Sequence, residues 1–500
     1  MGVASADLDL YRRDGEEFVS RLDQAYYLHY AGHSAALPIA ALYERFGHLF
    51  TAEAAADLTA AAAEARGDAR RSLSSLALFA ADGYLGQAVR RQTEALAARE
   101  AEATIRVEGE TVGYRAAAAL LANEPDRLRR ARIEEERLRV VSEELNPLHH
   151  EIWSTLHDLA RDLGADSYRA LYEGLKGVDF EALRTQAERL LAETDELHVA
   201  ALDRQLRSSL GLGIDDAARA DLPALLRASG YDRHFPADRM VWALEQTLEG
   251  LGIDLRGQSS IVLDTEARPM KSPRAFCAPV RVPDEVYLVV APTGGLDDYR
   301  ALFHEAGHAE HFAGTSRGLP FEFRYLGDNA VTEAYAFLLE GLTHDPVWLA
   351  QVLGYREADE YLRHIATTRL YMHRRYAAKL GYEMALHGGG RLEGQERRYA
   401  DALTEAVRIP WPRETYLADV DEGFYAVNYI RAWALELSLR DLLRERYGTR
   451  WFASPRAGGF LRELWNEGQR LNADELAREL DLPGIELSAL TADAHMVLGR

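Results

Sequence analysis

The segment His304-Glu305-Ala306-Gly307-His308 constrains this chain more than any other. Residues four apart share one face of a helix, so as a helix the segment presents His304 and His308 to a single metal ion. Glu305, beside the first histidine, is then placed to polarise a water on that ion. The lead-in, Leu296-Asp297-Asp298-Tyr299-Arg300-Ala301-Leu302-Phe303, supports a helix with acids near its start and apolar residues at helical spacing.

Two histidines leave such a zinc site one protein ligand short, because a catalytic site holds three ligands and an open position for water. The candidate third ligand is Glu333, 29 residues after His304. It lies in Asp328-Asn329-Ala330-Val331-Thr332-Glu333-Ala334-Tyr335-Ala336-Phe337-Leu338-Leu339-Glu340, which predicts a helix capped by Asp328. Packed antiparallel to the first helix, it aims Glu333 at the metal. Glu340 reads instead as a carboxylate that is solvated or supports the site without touching the ion.

The rest of the pattern is overwhelmingly helical. Residues 7–105 predict several helices with breaks near Gly32, Gly67 and Gly83. Residues 104–114 predict a turn-like interruption. Helices resume from 115 to about 208, broken at Asn146-Pro147 and around Gly174 and Gly177. Gly211-Leu212-Gly213 lacks the lysine and preceding strand of a phosphate loop and predicts a helix stop followed by a cap. The pair His149-His150 lacks a carboxylate at metal spacing. The single strand-like region is 259–292, where Ser260-Ile261-Val262-Leu263-Asp264 and Glu285-Val286-Tyr287-Leu288-Val289-Val290 are β-branched runs. Just before the zinc helix, a small sheet there either offers an edge to an extended peptide or only buttresses the helix. Residues 388–394 predict a flexible connection, and no repeat or low-complexity linker is present.

The motif spacing and its flanks resemble the thimet oligopeptidase and oligopeptidase F family of zinc metallopeptidases, whose general architecture angiotensin-converting enzyme and carboxypeptidase Taq share. That family carries a histidine three residues past the motif, where this chain has His311. Its third ligand is a Glu followed by Ala, with another Glu seven residues on, as in Glu333-Ala334 and Glu340. Residues 371–387, ending in Glu383-Met384-Ala385-Leu386-His387, resemble the family's following helix. The likeness covers about 260 to 440. It implies a mostly α, two-lobed, zincin-like fold with a small β-sheet beside the zinc helix and a deep central channel. It also implies one Zn2+ per chain and short peptides as substrates, which makes the site of the gluzincin type. On this reading residues 1–255 are a helical region forming part of the channel and 256–500 carry the zinc site.

The family stabilises its oxyanion with a histidine, a Gly-Tyr pair and further tyrosines. The corresponding stretch here is 419–433. Aligned on Gly423 and Trp433, the histidine position holds Asp419, and the tyrosine positions hold Phe424, Asn428 and Arg431. Shifted by one, Tyr425 and Tyr429 fall on two tyrosine positions. Tyr429-Ile430-Arg431 also resembles the converting-enzyme pattern. Tyr429, Tyr425 or Arg431 is therefore the expected donor, with Tyr429 fitting both alignments and Arg431 also a candidate substrate-binding residue.

Composition bounds the alternatives. The net charge of −22 disfavours a phosphate-tracking protein, which needs a concentrated basic face. The locally basic run from Arg127 to Arg139 has acids at helical spacing and reads as a solvated helix face. A single cysteine, Cys277, rules out an intrachain disulfide framework and suits a reducing compartment; its apolar surroundings predict a buried, inert thiol. Met1–Leu10 has neither the basic start nor the apolar core of a signal peptide. Gly2 would suit myristoylation, but Ala6 stands where Ser or Thr is wanted. No apolar stretch has the length of a membrane span. The expectation is a cytoplasmic zinc peptidase with Glu305 as general base, without nucleic-acid or membrane partners.

Overall fold

Runs of Ala, Leu, Arg and Glu at helical spacing fold as helices over most of this chain, and the β-branched runs pair into two small open sheets. The computed structural model describes residues 5–499; the reading of Gly2 lies outside them. Six helices carry the argument: α1 (Ser5–Tyr30), α2 (Gly67–Glu102), α3 (Leu296–Gly314), α4 (Asn329–Glu340), α5 (Asp359–Leu386) and α6 (Tyr425–Tyr447). The strands are β1 (Thr104–Val107), β2 (Glu110–Gly113), β3 (Ile261–Asp264), β4 (Phe276–Arg281) and β5 (Glu285–Val289). No helix among the described residues is long and apolar enough to cross a membrane.

The chain divides into two compact units, each assembled from separate stretches. The first takes residues up to Tyr84, Gly230–Asp359 and Arg431–Glu486. Its sheet has the order β3-β5-β4, with β3 parallel and β4 antiparallel to β5. The central strand β5 buries Val286, Leu288 and Val289, as expected of a strand covered on both faces. Helix α3 lies against this sheet on one side and against α4 on the other. Phe18, Phe46, Leu49 and Phe50 form a separate aromatic core under α1.

Gly83 was expected to interrupt a helix, but α2 runs straight through it. A Cβ at Gly83 would stand 2.0 Å from the Phe50 ring, so glycine here makes room for a packed side chain rather than a turn.

The second unit takes Leu85–Ser229, Glu360–Ile430 and the residues from Leu487 on. The interruption expected at 104–114 is a β-hairpin. β1 and β2 pair antiparallel through a turn at Glu108 and Gly109, whose φ values are 54° and 87°. Positive φ at both central residues gives the twist that a tight hairpin needs. Ile105 and Val107 point from it into a core with Leu121, Ile133 and Val140. The basic run forms a helix, Arg127–Val140, and is only partly solvated. Arg130 is buried and pairs with Asp221 at 2.7 Å. The break at Asn146-Pro147 is a π-helical turn at 141–145, after which the helix resumes. The stops at Gly177 and Gly211 are left-handed caps with φ of 64° and 69°.

Gly83→Ala is expected to destabilise the protein by about 1–3 kcal/mol through overpacking against Phe50. Gly174 is a useful control, since it sits inside a helix with open space around it; Gly174→Ala there should be neutral or stabilising by up to about 1 kcal/mol. Urea unfolding of the two variants checks both signs.

Candidate metal centre

The site is built on the contact between α3 and α4. The face of α3 turned to the interior carries Leu296, Tyr299, Leu302, Phe303, Ala306 and Ala309, all buried at helical spacing. Asp297 and Asp298 favour its N-terminal dipole. Helix α4 starts at Asp328, whose carboxylate accepts the Ala330 N–H at 3.0 Å. The contacts run antiparallel: Arg300 and His304 meet Glu340, whereas His308 meets Thr332. Between these pairs the backbones touch. A Cβ on Gly307 would lie 2.5 Å from Ala336 Cα and 2.6 Å from the Tyr335 carbonyl oxygen. Neither contact is a flexible side chain, so only glycine permits this approach.

The approach brings His304, His308 and Glu333 together, with one ligand atom from each inside a 4.8 Å span. His304 Nε2 is 3.4 Å and His308 Nε2 is 3.8 Å from Glu333 Oε2. A tetrahedral ion with bonds near 2.0–2.1 Å sets its ligand atoms about 3.3 Å apart. The second ring nitrogens are already engaged. His304 Nδ1–H donates to Glu340 Oε2 at 3.1 Å, and His308 Nδ1 is hydrogen-bonded to the Thr332 hydroxyl at 2.8 Å. These bonds hold both rings with Nε2 turned to Glu333, the atom each would offer to a metal on losing any proton there. The cluster can therefore hold a divalent cation such as Zn2+.

Electrostatics agree with the donor set. At Glu340, burial works against ionisation, but Arg300 and His304 outweigh it and hold the carboxyl well below its ordinary range. Burial also disfavours charge on His304, yet Glu333 and Glu340 raise its pKa to about 10. Burial pushes His308 down to about 3, the neutral form that binds metal. The field at this point favours a cation.

Glu305, next to His304 on α3, reaches β4, where its Oε2 accepts the Cys277 N–H at 2.9 Å. Burial pushes its carboxyl up to about 7, with His304 opposing that shift. Cys277 is half-buried, with its thiol held protonated by burial and by the Glu305 charge. Its backbone, rather than its sulfur, meets the site. Glu340 is not solvated; it is 8% exposed and orients His304. His311 is fully buried and bonds to the Gly468 carbonyl at 3.2 Å, apart from the metal cluster. His149 and His150 also lie outside it.

Tyr425 and Tyr429 share a face of α6, as their spacing predicts, with ring centroids 5.0 Å apart. Tyr429 also meets Tyr376 of α5 edge-on at 5.6 Å. Both belong to the second unit, and the cluster to the first. Asp419 pairs with Arg375 and accepts the Tyr399 hydroxyl at 2.7 Å. Arg431 is 3% exposed and bonds to Asp328 at 2.7 Å and Asp474 at 2.6 Å. Through Asp328 it secures the first turn of α4, next to Thr332 and Glu333. Sequence reasoning missed Thr332, Arg300 and the packing role of Gly307. The prior signal for Arg300 and Gly307 is their placement four before and three after His304; Thr332 is marked only by standing next to Glu333.

No protein-family model and no curated protein matches this chain.

Glu333→Ala should abolish tight zinc binding, because it removes a ligand. Glu340→Ala should weaken it by only about 10–100-fold, because it removes the partner of His304 Nδ1. Competition with a chromogenic chelator measures both, and full retention of zinc by Glu333→Ala would show that the third ligand lies elsewhere.

Proposed function

We propose that this chain is a cytoplasmic, zinc-dependent peptidase that hydrolyses peptide bonds in short peptides, with Glu305 as general base. One observation carries the reading: three donors converge as a metal site would require, and the buried carboxylate of Glu305, next in sequence to His304, is electrostatically coupled to His304 and Glu333. The single cysteine and the acidic composition are compatible with the setting. A zinc ion in the cluster would supply Lewis-acid polarisation of the scissile carbonyl and lower the pKa of water to about 7.

The chain's own groups perform the rest. His304, His308 and Glu333 would hold the ion, and Glu340 and Thr332 keep the imidazoles oriented. Glu305 accepts the proton of the attacking water and returns it to the departing amine nitrogen. On the strength of the sequence resemblance, the oxyanion donor is assigned to Tyr429, with Tyr425 one turn earlier on the same helix face. Arg431 is left out of this step, because its guanidinium is committed to Asp328 and Asp474.

A second reading is a homologue that binds metal and ligand without cutting, or that cleaves a non-peptide amide. It is favoured by Asp419, which stands at the family's histidine position and is engaged by Arg375 and Tyr399.

Glu305→Gln should retain zinc and lose at least about a hundredfold in hydrolysis of a mixed peptide library. Equal turnover by wild type and variant would exclude this mechanism, and zinc binding with no cleavage by wild type would favour the second reading. Tyr429→Phe removes one hydroxyl and should lower kcat by about a hundredfold with KM and zinc content nearly unchanged. Full activity in that variant would move the donor role to Tyr425 or elsewhere.

A further inference from the structure

We propose that Asp23 and the aromatic face of α1 form a subsite for a positively charged group of the substrate, an ammonium or a guanidinium. The proposal deepens the peptidase reading and rests on it.

Helix α1 packs along β4, antiparallel to it. At one end the Tyr30 ring lies 6.2 Å from Phe276. At the other, Glu16 pairs at 2.6 Å with Arg324, which in turn donates to the Val282 carbonyl at 2.8 Å. Asp23 stands midway, seven residues from both Glu16 and Tyr30, and a seven-residue step returns to nearly the same helix face. It therefore faces the stretch of β4 whose Cys277 N–H holds Glu305. The charge of Asp23 reaches Cys277, Tyr26 and Tyr325, in keeping with this placement.

Asp23 differs from the other acids of this region. Glu16 pairs with Arg324, Asp264 with Lys271, and Glu322 with Arg12. Among the described residues no hydrogen bond or ion pair reaches the Asp23 carboxylate. Burial without a counter-charge pushes it up to about 7. Its neighbour Tyr26 leads to aromatic faces instead: Tyr26 stacks on Tyr30 at 6.1 Å, and Tyr30 stands against Phe276 while remaining 46% exposed. A carboxylate lacking a cation, with Tyr26 one turn on and the accessible Tyr30 ring beyond it on the same helix, is complementary to an organic cation through charge and cation–π attraction. Its position beside the strand that holds the base makes it a specificity determinant for substrate bound there.

The test uses the full-length, zinc-loaded protein and three peptides of one length. The first has a free amino terminus and an internal lysine, the second has the lysine replaced by norleucine, and the third has the terminus acetylated. Binding is read by calorimetry on Glu305→Gln, with and without Asp23→Asn, and kcat/KM is read on wild type and Asp23→Asn. The expected result is that Asp23→Asn weakens the first peptide at least tenfold more than the peptide lacking the recognised charge, with zinc content retained. Loss of discrimination on acetylation identifies the terminal ammonium; loss on norleucine substitution identifies the side chain. Equal binding of all three peptides, or an equal fall for all three in Asp23→Asn, overturns the subsite while leaving the peptidase reading intact. Asp23-dependent binding by a wild type that cuts nothing sinks the peptidase reading and leaves the subsite standing.

Discussion

The metal centre depends on one contact, the approach of α3 to α4 at Gly307. With a methyl group there, the backbone at Ala336 and the Tyr335 carbonyl would have to move. Moving them shifts α4 as a body, because Glu333, Thr332 and Glu340 are fixed to one rigid rod. The distance of 3.4 Å between His304 Nε2 and Glu333 Oε2 is thus a packing distance before it is a coordination distance. A glycine inside a helix usually lowers its stability by about 1 kcal/mol relative to alanine. Here the buried surfaces of both helices offset that, and the fold accepts a weaker α3 for a tighter pair.

Around that contact, charge is balanced rather than minimised. Glu340 sits between Arg300 and His304, and Asp328 between Arg431 and the start of α4. Buried ion pairs contribute little net stability, since desolvation cancels much of the attraction. Their effect is directional. Arg300 draws Glu340 to the position from which it orients His304, and Arg431 ties the cap of α4 to Asp474. Removing one partner would leave a buried charge uncompensated, so these pairs make the geometry hard to relax. A metal site benefits from that stiffness, because ligands that cannot spread hold their ion at fixed distances.

Much of this half of the site was legible in the sequence because a helix converts spacing into distance. His304 and His308 had to share a face, and Asp328 had to cap the helix that carries Glu333. What could not be read was the partner of each supporting group. Arg431 meets Asp328 across 103 residues, and no local pattern predicts such a meeting. Glycine misled for a related reason. At Gly177 it ends a helix, at Gly83 it admits the Phe50 ring, and at Gly307 it admits a backbone. All three look alike until the neighbour is known. The β1–β2 hairpin was missed because strands of four residues barely establish an alternation, although Ile105 and Val107 with the Glu108-Gly109 turn were its signature.

The same physics explains why a hydroxyl donor is harder to read from a sequence than a set of metal ligands. A ligand set is over-determined: three donors must converge, and a wrong assignment fails on distance. A hydroxyl donor needs only one group on one face of one helix, and its identity turns on helix phase. On α6 a shift of one residue rotates the face by about 100°. Tyr429 and Arg431, two residues apart, are therefore separated by about 200°, and they cannot serve the same side of a regular helix. The structure commits Arg431 to Asp328 and Asp474 and stacks Tyr425 edge-on with Tyr429. Once the arginine face is fixed by those buried ion pairs, the phase of the helix is set, and the tyrosines must occupy the other side. The segment thus divides by rotation: one face anchors the helix that carries Glu333, and another presents Tyr425 and Tyr429.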